Sequence, residues 1–148
     1  MADYQGNRAT VPRVGLIGCG QIGSLWDEQK NTGATWTHAG AYLQSGLVDL
    51  IAISDSNPKR LVECAKYRGI TRCYTDFRQM LEQESLDILS ICTPAETRYE
   101  IFKLALAQGI RYFYCEKPLA VNGADALRSQ KLLQQYPDAQ VMVNYLRR

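Results

Sequence analysis

The chain has 148 residues, 46% of them hydrophobic and 22% charged, with a net charge of +2. That length suits one folding unit, and 17 scattered basic residues against 15 acidic ones form no stripe for nucleic acid or an anionic membrane. Cys19, Cys64, Cys73, Cys92 and Cys115 show no CxxC spacing and His38 is the sole histidine, which argues against a disulfide framework, a metal centre or a His-containing triad.

Residues 1–11 lack the apolar core of a signal peptide and are expected to form a flexible tail ahead of a single domain over 12–148. Apolar runs are strand-sized, too short to span a bilayer, and the expected setting is reducing and cytoplasmic. From there the elements alternate. "RVGLIGCG" is an apolar strand running into glycines, and "QIGSLWDEQK" opens a helix. "DEQKNTGATWTHAG" is polar, glycine-bearing and poorly periodic. It reads as an insertion, flanked by Trp26 and Trp36 as packing residues, with His38 as a simple helix-start residue. "LVDLIAISD" is a second buried strand ending at Asp55. "NPKRLVECAKYRG" is a helix capped by Asn57, with Pro58 in its first turn and Gly69 as its stop.

"RCYT" is a short strand, and "DFRQMLEQE" a short helix capped by Asp76. "LDILSICTP" is a third long strand that Pro94 ends, followed by the helix "ETRYEIFKLALAQG". "RYFYCE" is a strand, "NGADALRSQKLLQQYP" a helix stopped by Pro137, and "QVMVNYL" the last strand. Near-continuous apolar strands alternating with helices predict an α/β fold, a doubly wound parallel sheet of Rossmann type.

Gly18, Gly20 and Gly23 make a GxGxxG pattern between a strand and a helix, the context in which that pattern binds a dinucleotide. The first glycine permits the tight turn, the second lets backbone approach a pyrophosphate, and the third lets helix and strand pack closely. Gln21 and Ile22 complete the loop and are grouped with the cofactor contacts. Asp55 ends the second strand, where a carboxylate accepts from an adenosine ribose; it follows Gly23 by 32 residues rather than the usual ~20, the excess falling in the insertion. The carboxylate argues for NAD, and Lys59 and Arg60 leave NADP open. Ligands of open α/β sheets bind outside the carboxyl ends of the strands, which adds Thr93 and Pro94 and the "CEKP" segment to the candidate site. No metal is expected.

"GLIGCGQIG", "SDSNPKR", "DILSICTP", "AQGIRYFYCEKPLA" and "VNYLRR" together make the chain resemble the nucleotide-binding domain of the glucose–fructose oxidoreductase, inositol 2-dehydrogenase and rhizopine-catabolism (Gfo/Idh/MocA) family. The resemblance implies hydride transfer between a nicotinamide cofactor and a sugar or polyol. It implies Lys117 as the catalytic proton-transfer residue, Glu116 near the nicotinamide ribose, and a cis bond before Pro118. It also implies a second α/β domain that is absent here, so that the chain is a truncated form, inactive alone, of a homo-oligomeric enzyme. Arg98 stands where the family commonly has histidine. The competing reading is a non-enzymatic dinucleotide sensor, which would keep the glycine loop and Asp55 but have no use for Lys117.

Overall fold

In the computed structural model, which describes residues 11–30 and 33–145, six strands form one sheet. They are β1 (Arg13–Ile17), β2 (Asp49–Ser54), β3 (Arg72–Tyr74), β4 (Ile88–Ile91), β5 (Tyr112–Glu116) and β6 (Gln140–Asn144). The order is β3-β2-β1-β4-β5-β6 and every neighbouring pair is parallel. The sequence therefore runs outward from β1 in both directions, and the switch point lies between β1 and β4, where a crevice opens at the strands' carboxyl ends. This is the doubly wound parallel sheet that the strand–helix alternation predicts. The expected flexible tail, apart from Val11, and the last three residues of "VNYLRR" lie outside the described residues.

Helices cover both faces. On one side α2 (His38–Ser45) and α3 (Pro58–Arg68) bury Ala39, Leu61 and Cys64 against Val14, Leu16 and Ile53. On the other, α4 (Phe77–Gln83) and α5 (Ala95–Ala107) bury Met80, Leu81, Ile101, Phe102 and Ala105 against Ile17, Leu89, Ile91 and Phe113. Both faces of β1 and β4 are thus covered, which is why those strands read as unbroken apolar runs. A half-buried shell that includes Leu132 and Leu133 of α6 (Gly123–Leu133) completes the second layer.

Local signals set most helix ends. The Asn57 side chain accepts from the Lys59 and Arg60 N–H groups at 3.1 and 3.2 Å, and the Asp76 carboxylate caps α4 through the Arg78 N–H. Two stretches depart from the pattern. The supposed insertion contains the start of α2: the Thr37 hydroxyl accepts from the Gly40 N–H at 3.1 Å and Gly46 closes the helix. Helix α6 ends at Leu133, ahead of Pro137, and single turn bonds continue the chain to Tyr136. Among the described residues no helix is long and apolar enough to cross a membrane.

Candidate functional site: a cleft at the carboxyl edge of the sheet

The loop after β1 is held on both sides by backbone. The Gly18 N–H donates to Ser54 O of β2 at 2.8 Å, and the Cys92 N–H at the end of β4 donates to Ile17 O at 2.8 Å. Gly18 has φ of +95°, and a Cβ there would meet the Cys92 carbonyl at 2.8 Å, so only glycine makes this turn without strain. A Cβ on Gly23 would lie 2.0 Å from Gly18 O, which is the close strand–helix contact assigned to the third glycine. Gly20 differs: a Cβ there would meet nothing within 4 Å. The space above its backbone is open, as a bound pyrophosphate requires. Gln21–Leu25 then form a π-helical turn, with the Leu25 N–H returning to Gly20 O, before α1 (Trp26–Lys30).

Asp55 sits across this loop. One carboxylate oxygen accepts from the Cys19 N–H at 2.8 Å and the other from the Asn57 N–H at 2.8 Å. These bonds fix the carboxylate plane and leave lone pairs on both oxygens for further donors. Arg60, which with Lys59 left NADP open, is tied into the protein. Its Nε donates to Cys19 O at 2.7 Å, and its other nitrogens bond Glu28 and Glu63. Lys59 remains exposed.

A cleft of about 440 Å³ opens on the β4 side of the glycine loop, lined by Ile22, Trp26, Thr93, Pro94, Glu116 and Lys117 among others. Three strand-end segments spread between Ile22 and Pro118 thus meet at one concavity. The Lys117–Pro118 bond is cis. Lys117 is exposed, and among the described residues it has no hydrogen bond or ion pair; it does not pair with its neighbour Glu116. Thr93 accepts from the Thr97 hydroxyl at 2.8 Å. Trp26, expected only to pack the insertion, lines the cleft instead, with Lys30 Nζ 5.4 Å from its ring centre.

Arg98 stitches two of these segments together. It is 2% exposed; one terminal nitrogen donates to Thr93 O at 2.9 Å and the other to Pro118 O. Burial holds its pKa below the usual arginine value, although Cys115 and Glu116 pull the other way. Its Nε is buried without a partner. Hydrogen bonds to a charged donor are worth ~1.5–3 kcal/mol each, while removal of a desolvated charge with an unpaired N–H returns part of that. Arg98→Met is therefore expected to cost about 2 kcal/mol in urea unfolding. An unchanged midpoint and slope would show that the clamp contributes nothing.

Glu116 is only 8% exposed and points under the cleft rather than along its rim. Its Oε1 accepts from the Asn144 amide at 2.6 Å and lies 3.1 Å from His38 Nε2. The other imidazole nitrogen, Nδ1, is 2.7 Å from Ser90 Oγ, and the ring stacks on Tyr114 with centres 4.5 Å apart. His38 is the first residue of α2, as expected of a helix-start residue, but it is 5% exposed and belongs to the floor of the site. The available signal was strand alternation. It puts Tyr112, Tyr114 and Glu116 on one face of β5, the face that α2 approaches.

Residues 12–145 match the Gfo/Idh/MocA oxidoreductase family, NAD-binding Rossmann fold. The chain belongs to that family. A myo-inositol 2-dehydrogenase of Thermotoga maritima is 31% identical over 116 residues, 78% of this chain and 31% of that protein. A D-glucoside 3-dehydrogenase of Escherichia coli is 30% identical over 77% of this chain and 29% of that protein. The structure of the WlbA dehydrogenase from Bordetella pertussis in complex with NADH and UDP-GlcNAcA superposes with a TM-score of 0.74 at 28% identity, over 91% of this chain and 37% of that one. The chain thus spans about a third of the length of these relatives. Its residues fit the dinucleotide that the family fold accommodates: the backbone at Gly20 is open, Gly18 and Gly23 have no room for side chains, and Asp55 faces the loop from the end of β2.

Proposed function

We propose that this Rossmann domain is the cofactor-binding part of a dehydrogenase that oxidises a hydroxyl group of a sugar or polyol. The observation that carries the reading is the convergence of the glycine loop, the Thr93–Pro94 segment and Lys117 on one cleft, with Asp55 across the loop. Bound NAD would supply the hydride acceptor. Gly20, Gln21 and Ile22 present backbone to its phosphates in the turn that Gly18 and Gly23 shape, Asp55 accepts from the adenosine ribose, and Thr93, Pro94 and Glu116 shape the nicotinamide end. Lys117, exposed at the rim and unpartnered among the described residues, takes the proton from the substrate hydroxyl. We assign substrate selection to a second domain of the kind the family resemblance implies, in a homo-oligomeric enzyme, and expect this chain alone to bind cofactor without turning over sugars.

Calorimetric titration with NADH and NADPH tests the cofactor assignment. The Asp55 carboxylate repels a 2′-phosphate, and Arg60 is already committed to Cys19 O, Glu28 and Glu63. NADH is therefore expected to bind at least tenfold tighter, about 1.4 kcal/mol. Tighter NADPH binding would mean that Lys59 and a rearranged Arg60 outweigh the carboxylate. Failure to bind either ligand would end the cofactor reading.

A further inference from the structure

The buried chain Ser90–His38–Glu116–Asn144 joins β4, α2, β5 and β6 directly beneath the cleft. No other histidine exists in the sequence, and neither the glycine loop nor Lys117 depends on it for a direct contact. Its placement still bears on the site, because Glu116 immediately precedes Lys117. Asn144 and His38 both address the same carboxylate oxygen, Oε1. Among the described residues nothing donates to Oε2, while Glu116 contributes to the cleft wall.

Protonation decides what this arrangement can do. An imidazolium beside Glu116 would bury an ion pair and cancel the carboxylate charge at the cleft; desolvating two charges is costly even when they pair. A neutral imidazole with its proton on Nε2 donates to Glu116, and its bare Nδ1 then accepts from the Ser90 hydroxyl. Both ring nitrogens are then satisfied without an imidazolium. Burial lowers the His38 pKa and Glu116 opposes this, with the net direction downward. The other titratable side chains that meet the ring are phenols, Tyr42 on α2 and Tyr114 on β5. Burial pushes both up, so they are neutral near pH 7, and among the described residues Glu116 is the charge the imidazole meets.

We propose that His38 is a positioning residue for the nicotinamide half of the cleft: as a neutral Nε2–H imidazole it holds Glu116 Oε1 together with Asn144, so that Oε2 faces the cleft as a fixed acceptor for a ligand hydroxyl. This rests on the dinucleotide reading above. It assigns the start of α2, an element otherwise concerned with packing, a part in ligand geometry.

The test has two arms. Because the chain has a single histidine, side-chain ¹H–¹⁵N correlation reports it without ambiguity. The Nε2–H tautomer is expected at pH 7, with a protonation midpoint below the ordinary ~6.5, and Glu116→Gln should lower that midpoint further by removing the one charge that favours the imidazolium. An Nδ1–H tautomer or a midpoint above the ordinary value overturns the proposal. The second arm titrates NADH and ADP, which lacks both the nicotinamide and its ribose. His38→Leu should weaken NADH about tenfold, the effect of one charge-assisted hydrogen bond, and leave ADP affinity unchanged. His38→Gln, which retains an amide donor, should recover most of the loss. Equal loss for both ligands marks a merely structural role and overturns the proposal, as does unchanged NADH affinity. If His38→Leu does not fold, Asn144→Ala removes the other donor to Oε1, and its expected selective loss of NADH affinity decides the matter. Wild-type protein that binds ADP but not NADH overturns this inference alone; binding neither overturns the cofactor reading beneath it.

Discussion

Lys117→Ala, made in the enzyme that carries this domain with its substrate-holding domain, is expected to slow single-turnover hydride transfer by ~10²–10⁴-fold, the usual contribution of a general acid–base group. NADH affinity should stay unchanged. The two effects separate because they rest on different parts of the edge. The cofactor's phosphates and adenosine ribose are assigned to backbone at Gly18–Gly23 and to Asp55, which lies across the glycine loop from the cleft that Lys117 lines. Glu116 is held by Asn144 and His38, so removal of the ammonium leaves no carboxylate newly stranded. Lys117→Arg should rescue little, since a guanidinium stays charged near neutral pH and accepts no proton. Hydride transfer by Lys117→Ala within a few-fold of wild type would reduce the lysine to a rim charge. A parallel loss of NADH affinity would instead make it a cofactor contact.

What the sequence discloses here follows the range of the interaction. The β1 strand, its glycines and the cap of α3 were legible because their causes are local: apolar run, turn residue, Asn57 three positions from the N–H it accepts. Strand-end logic also placed Thr93–Pro94 and Lys117 on one edge, because a parallel sheet puts every carboxyl end on the same side. The connections between those loops were not legible. Arg98 reaches Pro118 across 20 positions, Arg60 reaches Cys19 O across 41, and His38 meets Glu116 across 78. Nothing in the spacing of these pairs distinguishes them from surface charges. The stretch around His38 looked irregular because α2 is short and begins within a glycine- and threonine-rich segment. Its Thr37 cap and Gly46 stop are visible only once a helix is sought there. Trp26 was misjudged for a related reason: it follows a π-helical turn, Gln21–Leu25, which alters the helical phase carrying side chains toward or away from the cleft.

The glycine loop offers the other large effect, and here two neighbouring substitutions should behave in opposite ways. Gly23→Ala places a methyl 2.0 Å from Gly18 O and 3.0 Å from its carbonyl carbon. That carbonyl cannot retreat freely, because the Gly18 N–H is bonded to Ser54 O and the next N–H, of Cys19, to Asp55. The strand and helix must part, at the upper end of the ~1–3 kcal/mol typical of overpacking, and a Tm loss of several degrees is expected on thermal unfolding. NADH binding should fall with it, since the displaced backbone is the phosphate cradle. Gly20→Ala meets no atom within 4 Å and has φ of −68°, so the same methyl fits without strain. Stability should hold or rise slightly, as a less flexible unfolded chain loses less entropy on folding, while NADH affinity drops because the methyl stands where a phosphate approaches. The pair thus separates the architectural glycine from the ligand-facing one. A Gly23→Ala protein as stable as wild type would show the strand–helix contact to be slack, and a Gly20→Ala protein that binds NADH normally would move the phosphates away from this loop.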